Sequence, residues 1–122
     1  MNTKISYFYR DADNYKAHHS VILKGKLSAK QISEILNKLE GGEMFIPRQV
    51  DLPPLQEQLK IYDTQDWGTD HEWHELDKYS FENTSEKPTE EFSATQFHKL
   101  FISIEKWEEF EPPQSIQYIM EE

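Results

Sequence analysis

Two segments of this chain carry the same helix-opening signature, and apolar residues follow each at helical spacing. Ser28-Ala29-Lys30-Gln31 and Ser93-Ala94-Thr95-Gln96 both read as capping boxes. In such a box the serine oxygen satisfies an orphan amide of the first turn, and the glutamine reaches back to the cap's own amide. After the first box, Ile32, Ile35, Leu36 and Leu39 fall on one stripe, and Gly41-Gly42 tolerates the left-handed conformation that ends a helix. After the second, Phe97, Leu100, Phe101, Ile104 and Trp107 recur at the same spacing, and Pro112-Pro113 forbids continuation. These patterns predict helices over about 29–40 and 94–109.

The apolar residues elsewhere read as strands. Ile5-Ser6-Tyr7-Phe8-Tyr9-Arg10 is aromatic and roughly alternating, and Tyr15 to Lys24 has Val21-Ile22-Leu23 at its centre. Between them Asp11-Ala12-Asp13-Asn14 favours a turn, because short polar side chains bond to their own backbone. An antiparallel hairpin follows. Residues 43–54 form a short extended segment broken by Pro47 and Pro53-Pro54, which forbid a long central strand. Leu55 to Tyr62 fits a short helix or a strand equally well. Residues 73–82 alternate, but Glu75 and Asp77 interrupt the apolar face of Trp73, Tyr79 and Phe81, so a bulge or an edge position is expected. Residues 83–91 read as a polar loop.

Two amphipathic helices and at least three strands predict an α+β fold: a small, mainly antiparallel sheet with both helices packed on one face. Residues 1–122 make one domain by length. Its expected appendages are a flexible loop at 83–92 and a C-terminal extension at 112–122. The chain has no cysteine, which excludes disulfides, a thiol nucleophile and a cysteine-based zinc site. No apolar run approaches the roughly 20 residues of a membrane helix. No signal-peptide pattern opens the chain, so a cytoplasmic location is expected.

Three stretches carry a resemblance: Tyr9-Arg10-Asp11-Ala12-Asp13-Asn14-Tyr15-Lys16, Phe45-Ile46-Pro47-Arg48-Gln49-Val50-Asp51-Leu52-Pro53 and Asp70-His71-Glu72-Trp73-His74-Glu75-Leu76. Together they resemble a family of small uncharacterised bacterial proteins with YRDAxNYK, FIPxQVxLPxL and DHxWHEL-like segments in this order. The resemblance spans about residues 7–76 and implies a compact bacterial domain, with no activity to carry over. The family often has glycine before the Leu-Pro of its second motif, where this chain has Asp51.

Charge is lopsided. Residues 1–62 carry nine Lys/Arg and seven Asp/Glu, whereas residues 63–122 carry four and sixteen, within a total of −10. Such a balance argues against nucleic acid and anionic membranes as partners, since both need basic groups to neutralise phosphate. It suits a basic protein surface instead. Glu105, Glu108, Glu109 and Glu111 form the densest acidic run, with Trp107 among them, and Trp67 and Trp73 are further aromatic anchors if exposed.

The segment Asp70-His71-Glu72-Trp73-His74-Glu75 offers the main alternative. Imidazole and carboxylate are ligands for a divalent metal such as zinc, and His71, His74, Asp70 and Glu75 are the candidates. The i, i+3 histidine spacing chelates on a helical turn but not on a strand, where the two side chains face opposite ways. The plainer reading is that these histidines bond to loop backbone while the tryptophans pack. There is no G-x-S-x-G elbow and no glycine-rich phosphate loop. The sequence therefore points first to a non-enzymatic interaction domain that uses its acidic C-terminal half and no cofactor. A metal-binding protein or small metal-dependent hydrolase is second.

Overall fold

The structure, a computed structural model, describes residues 1–10, 15–56 and 71–109. Its first strand, β1 (Asn2–Arg10), starts three residues before the aromatic run. Thr3, Ile5, Tyr7 and Tyr9 alternate into the interior, and the side chains between them stay partly exposed. β2 (Lys16–Leu23) pairs antiparallel with β1 from Arg10↔Lys16 to Thr3↔Leu23, as a hairpin requires. The turn expected at Asp11–Asn14 lies outside the described residues.

Both capping boxes form. Ser28 Oγ accepts from the Gln31 amide at 3.1 Å, Gln31 Oε1 accepts from the Ser28 amide at 2.8 Å, and α1 runs Ala29–Asn37. Gly41 and Gly42 then adopt φ of 62° and 80°, reversing the chain into β3 (Met44–Phe45). Pro47 opens a short 3-10 turn (Pro47–Val50) that ends at Asp51. α2 opens on Ser93 and Gln96 in the same way, but spans only Ala94–Ile102. The expected helix to residue 109 stops there: Ser103 is the C-cap, its Oγ donates to the Leu100 carbonyl at 2.6 Å, and residues 104–109 leave the helix.

The ten-residue strand expected over 73–82 is two short strands. β4 (His74–Glu75) and β5 (Phe81–Thr84) both pair antiparallel with β1, opposite Phe8–Tyr9 and Asn2–Ile5 respectively. Between them a 3-10 turn (Lys78–Ser80) bulges outward, so five residues oppose Ser6 and Tyr7. Asp77 causes the break: its carboxylate accepts from the Tyr79 amide at 2.7 Å, while Ser80 Oγ accepts from the Asp77 amide at 3.0 Å. β5 also takes the first two residues of the loop expected from 83.

The five-stranded antiparallel sheet has order β2-β1-β4-β3, with β5 also on β1. With its two helices this is the α+β architecture. Thr89 covers the outer edge of β2: its amide donates to the Ile22 carbonyl at 2.8 Å and its hydroxyl accepts from the Ile22 amide at 2.9 Å. One core joins Ile5, Tyr7 and Tyr9 of β1 with Val21 and Leu23 of β2, Ile35 of α1, Phe45 of β3, and Phe97 and Phe101 of α2. No helix among the described residues is long and apolar enough to cross a membrane. Residues 57–62 of the undecided stretch 55–62, and the extension 112–122, lie outside the described residues.

Candidate interaction site

Beyond α2 the chain runs as an irregular strap over residues 104–109. Its register is held by the side chain of Lys38, which caps the C-terminus of α1, and by side chains of the Pro47–Val50 turn, which reach its main chain. Lys38 Nζ donates to the Ile104 carbonyl at 2.8 Å, and Arg48 Nη2 to the Glu108 carbonyl at 2.8 Å. Gln49 grips two points: its Nε2 donates to the Lys106 carbonyl at 3.1 Å and its Oε1 accepts from the Glu108 amide at 2.8 Å. Apart from these, Trp107 Nε1 donates to the Lys38 carbonyl at 2.8 Å, while its ring packs edge-on against Phe101 and Phe45.

Because main-chain groups supply most of this attachment, the strap's carboxylates remain at the surface. Glu105, Glu108 and Glu109 are all exposed. Glu109 accepts from the Glu72 amide at 3.2 Å, and Glu108 lies 3.9 Å from Lys106 in an exposed pair, a geometry of little energetic weight. Trp107 is partly buried and turned inward, where it fastens the strap. Trp73 is also partly buried. Glu111 and Trp67 lie outside the described residues.

Arg48 links the strap to the histidine segment. Its guanidinium holds both carboxylate oxygens of Glu72, at 2.8 and 3.0 Å, while bonding the strap carbonyl. That bond to Glu72 pushes the arginine pKa above its ordinary value.

The metal candidates occupy different settings. His74 is fully buried on β4. Its Nε2 accepts from the Leu55 amide at 3.0 Å, so Nδ1 carries the proton and donates to the Glu72 carbonyl at 2.8 Å. Burial drives its pKa down to about 4. His71 accepts from the Trp73 amide at Nδ1 (3.0 Å) and donates from Nε2 to the Arg10 carbonyl (2.8 Å). Both imidazoles lean on the Tyr9 ring, each with its centroid 4.9 Å away. Glu75 sits 3.6 Å from Arg10. All four imidazole nitrogens are thus engaged with backbone, and a cation held there would have to displace those bonds. Among the described residues no group of three or more His, Cys, Asp or Glu is placed to hold a metal ion, and Asp70 lies outside them.

Lys38, Arg48 and Gln49 do not stand out in the sequence as strap-binding residues. Their partners lie 57 to 66 positions away, and no local pattern encodes such a pairing. No protein-family model matches the chain, and no curated protein or solved structure does either.

Proposed function

We propose that this protein is a non-enzymatic interaction domain whose acidic strap docks on a basic protein surface. One observation carries the reading: a strap pinned through its backbone presents Glu105, Glu108 and Glu109 outward. Preorganised carboxylates lose little conformational freedom on binding, and their summed field accelerates encounter with a cationic partner. Reversing Glu105, Glu108 and Glu109 to Lys together leaves the strap's main-chain bonds available while inverting its field.

The test is capture from source-cell lysate on immobilised protein at low and at high salt. The expected result is a basic protein retained at low salt, released at high salt, and lost with the triple variant. Capture that is indifferent to salt and to the reversal would remove the reading.

A further inference from the structure

We propose that Lys38, Phe45, Arg48, Gln49 and Phe101 form a peptide-binding groove whose ligand is a non-helical peptide with a central tryptophan. The protein's own strap fills this groove. The inference goes beyond the docking of the strap on a basic partner and does not depend on it.

The contacts divide as they do in peptide recognition, where main-chain bonds supply affinity and pockets supply specificity. Gln49 bonds the carbonyl of Lys106 and the amide of Glu108, two groups spaced as i and i+2. One carboxamide used in this way reads chain direction and register without regard to the ligand's side chains. Arg48 and Lys38 bond two further strap carbonyls, at Glu108 and Ile104. Specificity lies at Trp107. Its ring meets Phe101 and Phe45 edge-on, with centroids 5.4 and 6.3 Å away, and its N–H is satisfied by the Lys38 carbonyl. Tryptophan is the side chain that supplies both the area and the donor. Lys38 and Arg48 meet the strap only at its carbonyls, and Arg48 is paired with Glu72, so the groove reads backbone and tryptophan while the flanking carboxylates face solvent.

A tethered ligand competes at an effective concentration of order millimolar, so the groove must be vacated before a free peptide can enter. Glu108→Pro in the full-length chain does this: it deletes the amide that Gln49 accepts from without altering any core side chain. The probe is a fluorescein-labelled peptide of residues 102–109, followed by fluorescence anisotropy. The expected result is saturable binding to the variant at least about tenfold tighter than to the wild-type chain. Adding Gln49→Ala, or replacing the peptide's tryptophan with alanine, should weaken binding about tenfold or more, the equivalent of one buried contact. A variant that melts cooperatively yet binds no peptide overturns the proposal, as does equal binding of the alanine peptide. If Glu108→Pro fails to fold, Trp107→Ala replaces it. If neither folds, the strap is part of the core and not the occupant of a site, and the proposal falls.

Discussion

Asp51 is the one described non-glycine residue with positive φ, at 61°, where it ends the Pro47–Val50 turn. A side chain there costs roughly 1–2 kcal/mol for β-branched types and less for Asp, which tolerates the left-handed region. Asp51→Gly is expected to leave stability unchanged or raise it by up to about 1 kcal/mol, since glycine's relief of strain is offset by its unfolded-state entropy. Asp51→Val should lower it by about 1–2 kcal/mol. Urea midpoints of the two variants decide the matter. His74 makes a second residue-scale prediction. Its folded pKa of about 4 lies below the ordinary 6.5, so the unfolded chain takes up the proton first as pH falls. Its stabilising contribution is whole above pH 6.5 and is lost progressively toward pH 4, to about 3 kcal/mol in all. Denaturant titrations between pH 7.5 and 4.5 should show this slope, with a shallower slope in His74→Gln. An equal slope in both proteins would assign the acid sensitivity to the carboxylates.

At the scale of elements, local chemistry decides where helices begin, but distant partners decide where they end. Both capping boxes were legible because each is complete within four residues. Ser93→Ala should cost about 1 kcal/mol, measured by thermal melting against Ser28→Ala as a parallel case. The end of α2 was not legible. Ile104 and Trp107 continue the helical spacing past Ser103, yet they reach the core from an irregular strap. Periodicity identified the core-packing residues and assigned the wrong backbone to them. The 73–82 segment is interrupted, as its broken apolar face predicts, by an outward-bulging turn. Its alternation is genuine, and the carboxylate of Asp77 that spoils it is a cap. Asp-x-x-Ser is a four-residue signal of the same kind as the helix boxes. Asp77→Ala and Ser80→Ala should each destabilise by about 1 kcal/mol, and the double variant by less than the sum, because both remove the same box.

For the molecule as a whole, net charge of −10 sets a self-repulsion that its ion pairs do little to relieve, since each of the described ones has at least one partner at the surface. Raising salt from roughly 20 to 200 mM should therefore raise the melting temperature, because screening shortens from about 20 Å to under 8 Å. The Glu105, Glu108 and Glu109 reversal should flatten that dependence. A melting temperature that falls with salt would mean that attractive pairs such as Arg48–Glu72 outweigh the repulsion.

The sequence by itself determined what depends on neighbours: two helix starts, the β1–β2 hairpin with its alternating interior face, the glycine reversal after α1, and the acidic character of the C-terminal half. Each is set by contacts within a few residues, or by simple periodicity, so the pattern is its own evidence. Only the tertiary structure decided the rest. It places His74 in the interior with both nitrogens on backbone, at Leu55 and Glu72. It turns Trp107 inward onto Lys38, 69 residues away, and leaves the glutamates beside it at the surface. In each case an unpaired donor or acceptor in the core must find a partner, and which partner is in reach depends on how the strands and helices pack, a relation that no local pattern in the chain records.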